Sequence, residues 1–388
     1  MASVARTRSP GQSVVCGRAN RYSEFPSFKS IITTGIVIPK GSIINVMIAN
    51  PENKRLARYF RIQNAGALPL FNLSRRVAIP DDYSHLSIPE MWNLHDRLTN
   101  TVIDPKMESE ISSRKVSPLN LMHLKRDLAR EIVKSCELCE RRCNVDRTKG
   151  ELGYCRVPYE SHYASEFLHV GEEPEIIPSH TIFFAGCTFR CIHCQNSEII
   201  ENPSGDYLVD DDLVRRIENR FKRGGRNVNL VGGNPDQHLH NILDVFTKVD
   251  VPVPVIWNSN MYHSSESGKL LTGFVDVYLA DFKYGPSDCA ERISDVKNYW
   301  DVVNRNLMCA YKHAEIYIRH LLLPNHVECC AKPIMEWVSQ NIPNAKFNLM
   351  FQYHPCYRAI GHEEIGRLLS APEKQRSLEL MEEYGINK

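Results

Sequence analysis

The sequence predicts an α/β fold: a partial (β/α)6 barrel of the TIM type, preceded by an N-terminal α+β extension and a four-cysteine metal-binding segment. Three observations predict it. From residue 180 onward six apolar, β-rich runs recur: TIFFAG (181–186), VNLVGG (228–233), VPVIWNSN (253–260), VDVYLADFK (275–283), IYIRHLLLP (316–324) and KFNLMFQYH (346–354). Helix-like stretches separate them, such as Leu213, Val214, Ile217 and Phe221 behind the acidic start at Asp210, Asp211 and Asp212, and residues 331–338. Strands alternating with helices make a parallel sheet with right-handed crossovers, and six such units fit a partial barrel. The unusual polar residues fall at the ends of the runs, where a barrel keeps its chemistry.

Composition narrows the partners. The 388 residues carry 47 Lys and Arg against 46 Asp and Glu, a net charge of +1. That balance gives no reason to expect nucleic acid or an anionic membrane as an obligatory partner. No run approaches the roughly 20 apolar residues of a membrane span. The first 23 residues hold Arg6, Arg8, Arg18 and Arg21 and no acid. They read as a disordered basic start to a cytoplasmic chain, with an organelle transit peptide as the alternative.

Ahead of the barrel, residues 30–50 are rich in β-branched residues and are divided by Pro39-Lys40-Gly41-Ser42, which predicts a β-hairpin. Ser87-Ile88-Pro89-Glu90 is a capping box that starts a short helix through about Leu98. Ser117-Pro118 signals a second start, with Leu121, Leu124, Leu128 and Ile132 at helical spacing behind it. The expected segments are 1–117 (extension), 118–175 (helix and four-cysteine segment) and 176–388 (barrel with a C-terminal helix).

Thirteen cysteines are many for an intracellular enzyme, and seven of them fall in two tight clusters between Cys136 and Cys194. The clustering points to metal or iron–sulfur ligation in a reducing compartment. Cys16, Cys289, Cys309, Cys329, Cys330 and Cys356 stand apart and read as small buried residues rather than ligands. His238, His240, His326 and His354 read as hydrogen-bonded loop or core residues. Gln352, Tyr353 and His354 are expected on the rim of the substrate opening.

Cys187, Cys191 and Cys194 share one loop directly after the first run. Three thiols fit a closed zinc site poorly, because structural zinc takes four protein ligands. A [4Fe–4S] cube ligated by three thiolates keeps one iron open for a substrate or cofactor. The spacing CxxxCxxC, placed after the first strand of a barrel, resembles the radical S-adenosylmethionine (SAM) superfamily.

That resemblance implies a [4Fe–4S] cluster whose open iron binds SAM and whose electron splits it into methionine and a 5′-deoxyadenosyl radical. It places His193 and Asn196 beside the cofactor. It also sets Gly232-Gly233-Asn234 where most members have Gly-Gly-Glu against the SAM amino group. Asp281-Phe282-Lys283 resembles the Asp-x-Lys of glycyl-radical-enzyme activating enzymes. There the lysine faces the SAM carboxylate and the aspartate belongs to a cation site. Asn258-Ser259-Asn260 stands where those enzymes have an Asp-Thr-Asn type sequence, leaving Ser259 and Asn260 to hold the ribose. Arg319 reaches from the fifth strand toward SAM or substrate.

CELCERRCNVDRTKGELGYC, HCQNSEI, WNSNMY, DVYLADFKYG and RHLLLPNHVECC narrow the resemblance to a subgroup related to pyruvate formate-lyase activating enzymes, covering about residues 118–385.

The other cluster, Cys136-x2-Cys139-x3-Cys143 followed by Cys155, supplies four thiols. Four thiols suit a closed zinc site or a second [4Fe–4S] cluster equally, and Arg141 and Arg142 would offset their charge. The function expected is hydrogen abstraction by the SAM-derived radical from an unidentified substrate, a protein or peptide by analogy with activating enzymes. Modification of a small molecule and a non-catalytic metal scaffold or redox sensor are the alternatives. A flavodoxin or ferredoxin is the electron donor the resemblance implies.

Overall fold

The structure, a computed structural model, describes residues 55–203 and 205–386, within one compact unit that spans residues 53–388. The hairpin expected at 30–50, the basic start and Cys16 lie outside the described residues.

Eight strands form one sheet: β1 (His162–His169), β2 (Ser179–Phe184), β3 (Tyr207–Leu208), β4 (Val228–Gly232), β5 (Val255–Ser259), β6 (Val277–Asp281), β7 (Glu315–Leu321) and β8 (Lys346–Met350). Their order is β3-β1-β2-β4-β5-β6-β7-β8. From β2 through β8 every neighbouring pair is parallel, so the six apolar runs are the six parallel strands of a partial barrel. Strands covered on both faces read as continuous apolar runs, and β5 is buried along its whole length.

The sequence did not reveal β1. It pairs antiparallel with both β2 and β3 and covers the β2 edge. Its segment HYASEFLH mixes charge with apolar residues because only part of it faces the core.

The N-terminal end of the barrel is closed from below by α1 (Ala57–Gln63). Leu56 and Tyr59 pack with Ile256, Val277, Leu279 and Tyr317. Backbone N–H groups of Arg58 and Tyr59 both donate to the Glu315 carboxylate at 2.8 Å. The Arg58 guanidinium meets Asp276 at 2.8 Å. Residues 55–63 therefore belong to the barrel body, and the boundary expected at 117/118 does not separate two packed bodies.

Two helices then wrap the outside. The Ser87 capping box opens α2 (Ile88–Ile103), with Ser87 N–H donating to Glu90 at 2.8 Å; the helix runs to Ile103 instead of stopping near Leu98. In α3 (Leu121–Ile132) the cap is Asn120, whose Oδ1 accepts from Met122 N–H, and not Ser117, whose hydroxyl donates to the Leu119 carbonyl. Fully buried Lys125 of α3 donates to the carbonyls of Thr272 and Leu270 and contacts His95, and burial pulls its pKa down to about 7.

The barrel helices are α4 (Asp211–Lys222), capped by Asp210, α5 (Leu239–Lys248), α6 (Ser265–Leu271), α7 (Cys289–Ser294), α8 (Tyr299–Ala310) and α9 (Lys332–Asn341); α10 (Ala371–Glu383) ends the described chain. No helix among the described residues is long and apolar enough to cross a membrane.

Two contacts set the geometry around β2. Glu166 of β1 accepts from His180 Nε2 at 2.8 Å, from Arg220 at 2.8 and 2.9 Å and from Arg216 at 3.2 Å, tying β1 and β2 to α4. At the C-terminal end of β4 the backbone presses against the chain that leaves β2. Gly232 has φ +108°, and a Cβ there would stand 2.1 Å from Phe184 N; a Cβ on Gly233 would stand 1.8 Å from the Gly186 carbonyl oxygen.

Burial alone would raise the Glu166 carboxyl, but His180 and Arg220 outweigh it and hold its pKa below the ordinary 4.5. The stabilisation is thus complete above that value and is lost as pH falls toward the folded pKa. Glu166→Gln should cost about 2 kcal/mol at pH 7 and flatten the acid side of a urea-denaturation pH series. Gly233→Ala should cost about 3 kcal/mol by the same measurement, because the clash is with backbone and cannot be relieved by a rotamer change.

Candidate active site

The loop after β2 carries Cys187, Cys191 and Cys194 to the C-terminal end of the barrel. Two neighbours hold it. Asn260, behind β5, donates to Thr188 Oγ1 at 3.0 Å and lies 3.9 Å from Cys187 Sγ. The C-terminal end of α7 clasps the other side: Arg190 N–H and Ile192 N–H donate to the carbonyls of Ser294 and Ile293 at 3.0 Å, and Ser294 Oγ donates to Cys191 Sγ at 2.9 Å. Cys191 and Cys194 line a cavity of ≈ 110 Å³ together with Arg156, Arg190 and Tyr357.

Burial pushes the Cys187 thiol up to about 12 and raises Cys191 and Cys194 as well, with Lys283 pulling Cys191 the other way. Thiols that resist ionisation when empty become thiolates when a metal supplies positive charge.

A chain of charges fills the mouth of the barrel above the apolar plug. Asp281, at the end of β6, accepts from Lys283 Nζ at 2.8 Å and from Arg319 Nε at 3.2 Å. Arg319 also reaches Glu172 at 3.0 Å and Asn258 Oδ1 at 3.1 Å. Burial opposes the charge on Lys283, but Asp281 and Cys191 nearby outweigh it and keep the ammonium charged. The Asp281 carboxylate therefore already sits between two side-chain cations.

Glu172 and Glu173 were not singled out in the sequence. They come from the loop between β1 and β2. Glu172 Oε1 accepts from Asn229 at 3.2 Å, and Glu173 Oε1 accepts from Asn348 at 3.1 Å. Being buried acids at the barrel centre, they are recognisable only once the loop is seen to fold inward.

The remaining expected residues divide into two groups. Near the open side, His193 is buried with its ring edge-on to Tyr353, and burial lowers its pKa to about 3, so it is neutral. Asn196 Nδ2 donates to the Gly232 carbonyl at 3.3 Å. Others are engaged in holding loops. Asn234 Oδ1 accepts from Asn260 N–H at 3.2 Å, Asn260 Oδ1 accepts from Tyr262 N–H at 3.1 Å, and Ser259 Oγ accepts from Met261 N–H at 3.1 Å. Gly232 and Gly233 approach β2 and the cysteine loop, a closer steric demand than any ligand would make.

The four thiols Cys136, Cys139, Cys143 and Cys155 line one cavity beside this loop. Arg141 and Arg147 line it too, whereas Arg142 turns away to Glu137, Glu140 and Glu266. Burial raises Cys139 well above an ordinary thiol and raises Cys155. Tyr154 links the two cysteine segments: Arg141 lies 3.7 Å and Arg190 4.4 Å from its ring centre, and Arg141 Nε donates to the Thr188 carbonyl at 3.1 Å.

Among the isolated cysteines, Cys289, Cys330 and Cys356 are buried as expected, but Cys309 is exposed and Cys329 only half-buried. His238 and His240 are core residues that meet the carbonyls of Ala185 and Tyr159 at 2.7 Å.

Residues 181–338 match the family model described as the radical SAM superfamily. A curated relative, Uncharacterized protein MJ0674 of Methanocaldococcus jannaschii, is 40% identical over 339 residues, covering 86% of this chain and 98% of that protein. Among solved structures, SuiB of Streptococcus suis bound to S-adenosylmethionine is similar with a TM-score of 0.39 and 14% identity, over 51% of this chain and 45% of that one. TYW1 with a lysine-pyruvate adduct is similar with a TM-score of 0.33 and 14% identity, over 54% of this chain and 75% of that one. The chain thus spans less than half the length of SuiB. The family match across the barrel strands, joined to identity along nearly the whole of the archaeal relative, shows that this chain belongs to the radical SAM superfamily.

Proposed function

We propose that the chain cleaves SAM reductively and that the resulting radical takes hydrogen from a protein or peptide, as in activating enzymes. The observation that carries this is the three-thiol loop clasped between Asn260 and Ser294, with the Lys283 ammonium beside Cys191. When bound there, a [4Fe–4S] cluster supplies the electron that breaks the sulfonium bond.

The residues present fit that group. Two thiolates on one zinc ion, each about 2.3 Å from it, lie about 3.8 Å apart. Among the described residues, Cys289, His326 and Cys329 have ligand atoms mutually within 4.8 Å. Three thiols leave one iron of a [4Fe–4S] cluster open. For Cys136, Cys139, Cys143 and Cys155 the same reading assigns a second [4Fe–4S] cluster in preference to zinc, on their placement beside the first loop. Its contact with the first loop through Tyr154 suits electron relay.

SAM fits the mouth of the barrel. His193 Nδ1, on the cysteine loop, and Asn258 Nδ2, in β5, are buried without hydrogen-bond partners, and a polar ligand would satisfy them. In this reading Lys283 binds the SAM carboxylate as a point charge, exchanging part of its contact with Asp281. Neutral His193 offers an apolar face to adenine. Arg156 and Arg358, exposed beside Cys191 and Cys194, give a basic rim that suits an acidic donor such as a flavodoxin or ferredoxin. A peptide substrate is favoured by the Asp281-x-Lys283 resemblance to activating enzymes.

Anaerobic reconstitution with iron and sulfide, then SAM and dithionite, should yield 5′-deoxyadenosine from the natural chain and none from Cys191→Ala. Full activity of Cys191→Ala would refute the assignment. Cys139→Ala should lower iron from about 8 to about 4 per chain while zinc stays unchanged. Deuterium carried into 5′-deoxyadenosine from labelled peptides, but not from labelled metabolites, would identify the substrate class.

A further inference from the structure

Away from the cysteine loop, a third set of ligand atoms converges. Cys289 opens α7, after β6. His326, Cys329 and Cys330 follow β7, on the wide turn Val327–Ala331 that leads into α9. Cys289 Sγ lies 3.7 Å from Cys329 Sγ, which lies 3.9 Å from Cys330 Sγ. Ligand atoms of Cys289, His326 and Cys329 are all within 4.8 Å of one another.

We propose that Cys289, His326, Cys329 and Cys330 bind one structural zinc ion. The chemistry of the set supports this in four ways. The Cys289–Cys329 and Cys329–Cys330 separations match the edge of a tetrahedron with bonds of about 2.3 Å, roughly 3.8 Å, while Cys330 stands outside the trio that is mutually within 4.8 Å and closes on the ion from the Cys329 side. His326 meets the Pro324 carbonyl through Nδ1 at 2.6 Å, the contact that fixes a metal-binding imidazole with Nε2 as its free ligand atom. Nε2 is buried and makes no well-formed hydrogen bond, with Glu364 Oε1 3.3 Å away. His326 caps the wide turn that carries Cys329 and Cys330, so all three side chains come from one short stretch of chain.

Glu364 is the rival for the fourth place. Its Oε1 is 3.3 Å from Nε2, but Arg292 occupies both of its oxygens, at 2.5 and 3.1 Å. Cys330 is buried, reaches the set from the Cys329 side and has no comparable competing cation. Three thiolates and one imidazole close the coordination shell, so the ion is structural and not catalytic.

Its position gives it a task. The ion joins the start of α7 to the turn after β7, while the far end of α7 holds Arg190, Cys191 and Ile192. Zinc thereby braces the helix against which the cysteine loop is fixed. A Cβ on Gly285 would stand 2.1 Å from the Cys329 carbonyl oxygen, so the two loops are already in close backbone contact without the ion.

The test is elemental analysis of the full-length protein purified under anaerobic conditions without added metal. We expect about one zinc per chain, loss of most of it in Cys329→Ser and Cys330→Ser, and retention in Glu364→Gln and in Cys309→Ser, which alters an exposed cysteine. Because the cysteine variants risk misfolding, zinc-edge absorption of the natural protein provides a second measure, with about three sulfurs and one nitrogen expected around zinc. A four-sulfur zinc shell, zinc retained in Cys329→Ser but lost in Cys139→Ala, or a protein with no zinc and a Cys289–Cys329 or Cys329–Cys330 disulfide would each overturn the proposal.

Discussion

The backbone contact between Gly233 and the Gly186 carbonyl governs the site. It forces β4 to leave the sheet directly against the loop that follows β2, with no room for even one carbon atom between them. Cys187 is the next residue along that loop. Its position is therefore set by main-chain packing and not by side-chain choice, and a metal would meet a loop already shaped. Asn234, Asn260 and Thr188 continue the same effect with hydrogen bonds that run from the β4 loop through the β5 loop to the cysteine loop. Preorganisation of this kind lowers the entropy that cofactor binding must overcome.

The barrel interior changes character along its axis. Below, Tyr59, Ile256, Val277 and Tyr317 make an apolar plug. Above, half-buried Asp281, Lys283, Arg319 and Glu172 gather beside buried Glu173. Unpaired, each of these charges would be costly to bury. Arg319 is the hub, because its fork reaches Asp281, Glu172 and Asn258 at once, which a lysine could not do. A zwitterionic ligand enters such a network by exchanging partners and need not displace bulk water from isolated ions.

The six parallel strands were legible in the sequence because both faces of each are covered, which leaves a run of apolar residues that tolerates little interruption. The cysteine loop was legible because ligand spacing is a local property of the chain. What escaped notice was set by tertiary context. The edge strand β1 has a solvent side and carries Glu166, so its pattern is broken. Residues 55–63 look like part of a separate extension until Arg58 and Tyr59 are seen to bind Glu315 and the barrel floor. Asn260 and Ser259, expected at the ribose, also bond neighbouring loop atoms, a role their spacing alone does not reveal. Arg147, further along the chain, replaced Arg142 at the four-thiol cavity because Arg142 found three carboxylates. Cys289 is far in sequence from His326, so its pairing with the HVECC turn requires the fold.

Sulfur spacing is the physical quantity that sorts the molecule's cysteines. A single ion draws its ligands to one point, so they touch one another; a cube holds them at separate corners, so they do not. Cys329 Sγ is nearly in van der Waals contact with the sulfurs of Cys289 and Cys330, and the His326 imidazole lies close to Cys289 and Cys329. At the two clusters burial is the main influence on Cys139, Cys187 and Cys194. Three thiols around a cube leave one corner unclaimed. Four leave none. The loop after β2 thus keeps the three-cysteine pattern of the radical SAM superfamily, and the segment beside it offers a closed set of four thiols. Sulfur spacing assigns pure architecture to the site at the start of α7, whose far end grips the loop where the chemistry occurs.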